Sequence, residues 1–280
     1  MKSRREFLKG AGLACAGLAA LQGGAGTVVG EKKIPVGIQL YSFRKQGEKD
    51  FAGIIKKAAE IGFSGVEFAG YGPYGDKPAE LRKLLDDAGL KAFGTHTGIE
   101  HVQPDRIQKT IDFHKAIGCP YIIVPWIDPK QLEKKDACLK LAESLTRASD
   151  IAQAAGLHVG YHAHGGDFQK IDGDLTAWEV LFDNTPKAFI HQLDLGNCLG
   201  GGGDPFKMIE RYPGRTLSIH LKEHGGPEHA VFGQGTVDFK RVLSLCGSVG
   251  GTTCAIIEHE SDPDNAYEAA KKCLAHLASL

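Results

Sequence analysis

The sequence predicts an α/β protein, a single-domain (β/α)8 barrel. Three observations carry that reading. Strand-like and helix-like segments alternate eight times after residue 30. The chain beyond that point is roughly 250 residues long, the size that eight such units occupy. The first strand is followed by Gln39-Leu40-Tyr41-Ser42-Phe43-Arg44, without the glycines that a doubly wound nucleotide-binding sheet places there. No linker or change of composition divides residues 31–280, so they are read as one domain.

The elements follow in order. Pro35–Tyr41 is the first strand, and a helix runs from Asp50 with Phe51, Ile54, Ile55, Ala58 and Ile61 on one face until Gly62 ends it. Gly65–Phe68 is the second strand. Its helix starts at Lys77 with Pro78 in the first turn and Leu81, Leu84, Leu85 and Ala88 inward. Leu90–Thr95 is the third strand, ending at His96, and Pro104 opens a helix carrying Ile107, Ile111 and His114. Tyr121–Trp126 is a continuous apolar run, as a strand covered on both faces requires. A long helix to Ala155 leads into strand five, Leu157–His162. Leu175, Trp178 and Phe182 form a short helix. Strand six ends at Asp194, and Gly200–Gly203 leads to a helix near Asp204. Strand seven ends at His220, with a helix around Val242. Strand eight ends at Glu258, and Tyr267, Ala270, Leu274 and Leu277 mark the last helix.

Composition narrows the class. The chain has 280 residues, 42% hydrophobic and 24% charged, which suits a soluble globular protein with a large core. Its 33 basic and 34 acidic residues are well mixed, which argues against nucleic acid and anionic membrane surfaces as partners. The seven cysteines show no CxxC spacing, so they read as small buried hydrophobes.

The N-terminus reads as an export signal. Ser3-Arg4-Arg5-Glu6-Phe7-Leu8-Lys9 matches the twin-arginine (Tat) pattern and precedes a weakly hydrophobic Gly/Ala-rich stretch. Residues 1–30 are therefore taken as a signal peptide, cleaved somewhere in residues 21–30. Cys15 is read as unmodified. The expected location is periplasmic or otherwise extracytoplasmic. The Tat route carries folded proteins, often with a cofactor already loaded.

In a barrel of this kind every strand ends at one mouth, where catalytic groups gather. The polar residues at those ends are Gln39, Glu67, His96, Trp126, His162, His164, Asp194, His220, Lys222, Glu258 and Glu260. His162, Asp194, His220 and Glu258 close four successive strands, each about one β/α unit apart. Two imidazoles and two carboxylates suit Mn²⁺, Co²⁺, Zn²⁺ or Fe²⁺ better than Ca²⁺. A lone strand-end histidine is usually a hydrogen-bonded structural residue; four groups in register are not explained that way. His96 falls away from strands five to eight and is assigned to substrate or proton transfer. His164 either caps the Gly165-Gly166 turn or moves a proton. Lys222 either holds a substrate oxyanion or is a solvated loop lysine. Glu67 is expected to meet sugar hydroxyls or His96, with Gln39, Trp126 and Glu260 also facing substrate. His191 and His259 point away from the mouth and are structural. Gly200–Gly203 is read as a flexible active-site loop rather than a phosphate site.

These motifs resemble a known family. Gly37-Ile38-Gln39-Leu40-Tyr41-Ser42, Gly65-Val66-Glu67, Tyr161-His162-Ala163-His164, Leu193-Asp194-Leu195-Gly196-Asn197, Ile219-His220-Leu221-Lys222-Glu223 and Ile257-Glu258 are similar to the xylose-isomerase-like sugar phosphate isomerase/epimerase superfamily of TIM barrels. The resemblance implies one divalent metal, Mn²⁺ foremost and Co²⁺, Zn²⁺, Mg²⁺ or Fe²⁺ as alternatives. It implies ligands of the type Glu, Asp, His and Glu, which carry over to Asp194, His220 and Glu258. His162 stands where the family has its first glutamate, and this departs from the symmetric two-base epimerase. The Tyr-His-x-His branch includes lyases and dehydratases of keto-sugars or keto-inositols.

The expected function is an exported, metal-dependent sugar isomerase or epimerase. It would abstract a proton next to a carbonyl through an enediolate, with Glu258, His96, His164 and Lys222 as the catalytic set. The alternative is a lyase or dehydratase acting on 3-keto-glycosides or keto-inositols. A sugar-binding barrel without chemistry, and a nuclease of the endonuclease IV type, are further rivals; the near-neutral charge speaks against the nuclease. Expected partners are a sugar or keto-sugar, the Tat machinery and, if the chain oligomerises, a second copy. No nucleic acid and no stable membrane insertion after cleavage are expected.

Overall fold

The computed structural model describes residues 28–280. The Tat-like segment Ser3–Lys9 and Cys15 lie outside the described residues. Eight parallel strands form the barrel: β1 Ile34–Gln39, β2 Gly65–Ala69, β3 Lys91–His96, β4 Tyr121–Val124, β5 His158–His162, β6 Ile190–Gln192, β7 Ser218–Leu221 and β8 Cys254–Ile257. They are hydrogen-bonded in the order β7-β8-β1-β2-β3-β4-β5-β6. The ring closes between β6 and β7 through a parallel bridge at Asp194 and His220, where the His220 N–H donates to the Leu193 carbonyl at 2.9 Å. Two of the four candidate ligands therefore sit at the seam of the barrel.

A helix follows each strand: α1 Phe51–Ile61, α2 Pro78–Ala88, α3 Ile107–Ile117, α4 Lys135–Ala154, α5 Ala177–Asp183, α6 Pro205–Arg211, α7 Phe239–Leu245 and α8 Ala266–Ala278. Their starts are fixed by side-chain caps. Asp50 accepts from the Gly53 N–H, Asp204 from Phe206 and Lys207, and Asp238 from Arg241. Thr176 and Glu179 make a reciprocal capping box on α5. Gly62 ends α1 at φ 106°, a left-handed conformation that side chains rarely adopt. The buried faces are those read from the spacing: Ile54, Ile55 and Ala58 on α1, Leu81 and Leu85 on α2, and Ile107, Ile111 and His114 on α3.

Four local details differ from the sequence reading. Pro104 begins a turn in which the Arg106 N–H bonds the Gln103 carbonyl, and α3 starts only at Ile107. Leu175 belongs to a small hairpin, Lys170–Asp172 against Leu175–Thr176, and not to α5. A short extra helix, Leu195–Gly200, begins directly after Asp194. Val28 and Val29 pair with Pro35 and Ile34, so the folded body reaches back past residue 31.

The lower barrel interior is apolar. Phe93, Tyr121, Ile123, Ile190, Cys254 and Ile256 fill it. Phe93 spreads over Gly37 and Gly65, where an added Cβ would lie 2.7 and 2.8 Å from its ring. Above this floor the interior turns polar: Gln39, Glu67, Gln192 and Ser218 are buried at 0–1% exposure. An eight-stranded barrel is only wide enough for side chains to fill, so residues from distant strands meet there.

Candidate metal centre

The polar layer supports four side chains at the mouth. His162, Asp194, His220 and Glu258 each offer one ligand atom, and these atoms all lie within 4.8 Å of one another. Asp194 Oδ2 is 4.0 Å from His162 Nε2 and 3.9 Å from His220 Nδ1. His220 Nδ1 is 2.5 Å from Glu258 Oε2. Asp194 comes off the end of β6 with its other oxygen, Oδ1, accepting from the Asn197 N–H at 2.7 Å, which caps the short helix. Asp194 Oδ2 is buried with no hydrogen-bond partner. A buried, unpartnered carboxylate oxygen is costly unless something positive meets it. Facing two imidazoles and a second carboxylate, it fits a divalent cation.

The layer beneath fixes how these ligands point. Gln192 Oε1 lies 3.1 Å from both His162 Nδ1 and His96 Nε2. The Gln192 amide N–H groups donate to Glu67 Oε1 at 2.7 Å and Ser218 Oγ at 3.0 Å. Glu67 Oε2 accepts from Gln39 at 2.9 Å and from the His220 Nε2–H. Both candidate histidine ligands thus have one ring nitrogen occupied below and the other turned to the cluster, the arrangement that orients metal-binding imidazoles.

Electrostatics agree with that division. Burial, reinforced by His220 and His96, pushes His162 well below the ordinary value, so it is a neutral imidazole ready to donate a lone pair. Burial opposes charge on His220, but Glu67 and Glu258 override it and raise the ring to about 10. Burial would raise both carboxylates, yet His96 and His220 hold Glu67 well below the usual range, and His220 with Lys222 does the same for Glu258. Asp194 is pushed up to about 7, mainly by burial and against the pull of Lys222.

These shifts set a pH-dependent response to metal. Without a cation, folded Asp194 keeps a proton that the unfolded carboxyl, with an ordinary value of 3.8, has lost. Folding is therefore penalised increasingly from about pH 4 to 7, and fully above 7. His220 contributes stability that is complete below its ordinary 6.5 and is lost as pH rises through about 10. A cation bound by these groups would replace the protons at both positions and so would stabilise the fold more as pH rises. Calorimetric melting with and without Mn²⁺ is expected to give a larger Tm increase at pH 8.5 than at pH 5.5. Equal increments at the two pH values would count against this ligand set.

The expected site residues fall into three groups. His96, His162, His164, Lys222, Glu258, Glu260 and Trp126 line one cavity of about 600 Å³ at the mouth, with Tyr41 and Asn197. Asp194 and His220 lie in its floor, fully buried. Neither Gln39 nor Glu67 lines that cavity; of the two contacts expected for Glu67, the one to His96 is present, with His96 Nε2 3.2 Å from Glu67 Oε2. Gln39 and Glu67 are fully buried below the ligands, because their side chains point down into the polar layer. His96 was placed away from strands five to eight, yet its ring centroid is 4.8 Å from that of His162 and 5.3 Å from that of His220. The narrow interior brings β3 against β5 and β7.

Lys222 is not a solvated loop lysine. It pairs with Glu260, lies 3.8 Å from Glu258 and is held above the ordinary lysine value by Asp194, Glu258 and Glu260 against burial. Gly200–Gly203 is not an open loop either: a Cβ on Gly201 would sit 2.2 Å from the Gly165 carbonyl. The run packs against the end of the β5 loop, and Asn197 Nδ2 ties it to the Ala163 carbonyl at 2.9 Å. His191 is structural, accepting from the Trp178 indole at 2.8 Å. The residues missed were Gln192 and Ser218. Each stands two positions before a ligand on its strand, so the period of two that placed Asp194 and His220 inward places them inward as well.

A (β/α)8 barrel with a buried His/Asp/Glu cluster under its C-terminal mouth defines the class. Within it, the chain belongs to the xylose isomerase-like TIM barrel family, whose pattern matches residues 55–280. The inosose dehydratase of Geobacillus kaustophilus is 25% identical over 273 residues, covering 81% of this chain and 86% of that protein. The inosose dehydratase of Lacticaseibacillus casei is 26% identical over 271 residues, covering 82% of this chain and 89% of that one. Among solved structures, a sugar phosphate isomerase/epimerase from Parabacteroides distasonis superposes with a TM-score of 0.74 at 22% identity, covering 93% of this chain and 96% of its own. These relatives are enzymes. No helix among the described residues is long and apolar enough to cross a membrane.

Proposed function

We propose that the chain is a metal-dependent lyase of keto-inositols or keto-sugars, acting outside the cytoplasm after Tat export. One observation carries this: the unpartnered, buried Asp194 Oδ2 among His162, His220 and Glu258, directly under a ligand-sized cavity. His162, Asp194, His220 and Glu258 would hold a divalent ion there, whose positive charge would polarise a substrate carbonyl and acidify the neighbouring C–H. Mn²⁺ is the ion expected.

The chain's own groups then divide the work. Glu258 and Glu260 both line the cavity, and their environments push them apart. Glu258 is held ionised by His220 and Lys222. Glu260 is raised by burial and by Glu258, with Lys222 only partly opposing. Such a split assigns a base and an acid. Glu258 takes the proton next to the carbonyl, and Glu260 returns one to the departing hydroxyl, which leaves as water. Lys222, between them, offsets the negative charge. The exposed faces of Tyr41 and Trp126, 45% and 55% accessible, offer flat surfaces to a sugar ring at the rim.

Elimination suits this site better than epimerisation for a geometric reason. Epimerisation at one carbon uses matched acid–base groups on opposite faces. His162, which replaces the family's first glutamate, has Nδ1 engaged with Gln192 and Nε2 turned to Asp194. With Nε2 serving as a metal ligand, it would have no nitrogen left to exchange a proton with substrate. The inosose dehydratase relatives favour the same outcome. The isomerase or epimerase reading keeps one support: His96 and His164 line the cavity from β3 and the β5 end, across the ring from β8.

Incubation of the Mn²⁺-loaded protein in D₂O with a keto-inositol and a 3-keto-hexose separates the readings. Loss of water with an enone absorbance is expected. Deuterium incorporation without loss of water would establish isomerisation instead. Neither signal with any keto substrate would remove both. Export has its own check: replacing Arg4-Arg5 with Lys-Lys is expected to leave the precursor in the cytoplasm, and unchanged export would refute the Tat assignment.

A further inference from the structure

We propose that the mouth holds a second ligand subsite beside the reaction cavity, which takes a flat, largely apolar ring attached to the reacting keto-sugar. The inference rests on the keto-sugar reading above and narrows the substrate to ring-bearing glycosides. The subsite is a lobe of about 420 Å³ between the loop after β4 and the loop after β5. Trp126 and His164 line both this lobe and the reaction cavity. The two spaces are therefore neighbours, with an indole and an imidazole on their common boundary.

The lining fits an apolar ring. Ile127, Leu132 and Tyr161 supply buried apolar floor, 2%, 7% and 1% exposed, and Ile171 faces them from the hairpin. Charged and amide groups, Glu133, Gln169 and Lys170, are exposed at the edge. The one buried carboxyl in the lining, Asp167, has both oxygens engaged. It accepts from the Tyr161 hydroxyl at 3.0 Å and the His164 N–H at 2.7 Å. It is thus a brace for the wall and not a cation site.

The wall is built and fastened. The hairpin that carries Ile171 is pinned to the start of α4 by an ion pair between Lys135 and Asp172 at 2.7 Å. The Ala177 N–H closes its base on the Gln169 carbonyl at 3.1 Å. Such a lobe adds apolar contact to a ligand anchored next door. Trp126 is more than half exposed although it is one of only two tryptophans in the chain, and it lines both spaces.

Isothermal titration of the full protein tests this without requiring turnover. The probes are phenyl and methyl β-D-glucopyranosides, with the matching galactopyranosides. The phenyl glycoside is expected to bind at least about tenfold tighter than its methyl partner. Leu132→Trp and Ile171→Trp fill the lobe from two sides, and each is expected to bring the phenyl-to-methyl ratio close to one. Ile171 is half-buried on the hairpin, so its variant remains informative if Leu132→Trp fails to fold. Equal affinities in the parent protein, no binding of any probe, or an unchanged ratio in Ile171→Trp would overturn the proposal. A phenyl preference without reaction in D₂O would remove the lyase reading and leave the subsite standing; reaction without that preference would do the reverse.

Discussion

Replacing Glu67 with leucine is expected to lower folding stability by about 3–5 kcal/mol, the cost of removing one partner from a buried ion pair. Glu67 is fully buried, and four side chains converge on its two oxygens: Gln39, His96, Gln192 and His220. Leucine leaves those donors facing hydrocarbon, and His220 loses one of the two carboxylates that raise its pKa. The same change unfastens the lower nitrogen of His220. Loss of such an outer hydrogen bond typically weakens metal affinity about 10–100-fold. Urea denaturation and Mn²⁺ titration read the two effects separately. A stability loss under about 1 kcal/mol with unchanged metal affinity would show that the layer beneath the ligands is dispensable.

The second large effect is expected at Glu258. Glu258→Gln removes the candidate base and one ligand while keeping shape and volume. The rate of substrate proton exchange should fall by about 10²–10⁴-fold, the range a positioned acid or base supplies. His220 keeps Glu67 as a partner in this variant, so the fold should survive. Glu260→Gln is the control. It frees Lys222 for Glu258, from which it stands 3.8 Å, and should lower water loss more than proton exchange. If Glu258→Gln and Glu260→Gln slow exchange equally, the two carboxylates do not have separate roles.

The architecture was legible in the sequence because its signals are local. The alternation of Val36, Ile38 and Leu40, the stripe of Ile54, Ile55 and Ala58, and the uninterrupted Tyr121–Val124 each declare an element without help from the rest of the chain. The ligand candidates were legible for a related reason. A strand that ends in a polar residue points it at the mouth, and four consecutive strands do so at Asp194 and its partners. The misreadings came where a contact depends on distance across the barrel. His96 looked remote because three strands separate it from His220 on one side of the ring. Gln39, and Glu67 in one of its two readings, look like substrate contacts because they are also strand-end polar residues; the other reading of Glu67, a contact to His96, is present. Whether such a side chain turns up to the cavity or down to its neighbours depends on partners elsewhere in the chain, here Gln192 and His220. The hairpin at Lys170–Thr176 was missed because two- and three-residue strands carry no readable period.

Gln192 ends up as the part of this site whose charge never changes. Around it lie groups that gain or lose protons: Asp194 near pH 7, His220 near 10, and Glu258 and Glu260 driven in opposite directions. An amide does not titrate, and this one is fully committed, with its oxygen between two imidazoles and its nitrogen between a carboxylate and a hydroxyl. Turning it over would set donors against donors on one side and leave Glu67 facing an oxygen on the other. The rings of His96 and His162 are therefore indexed to a fixed pivot, while charge moves through the groups above. On the proposed function, the same scaffold would take up a proton, a cation or a substrate without first being rearranged, and the reorganisation that such an exchange would cost in water is already built into the fold.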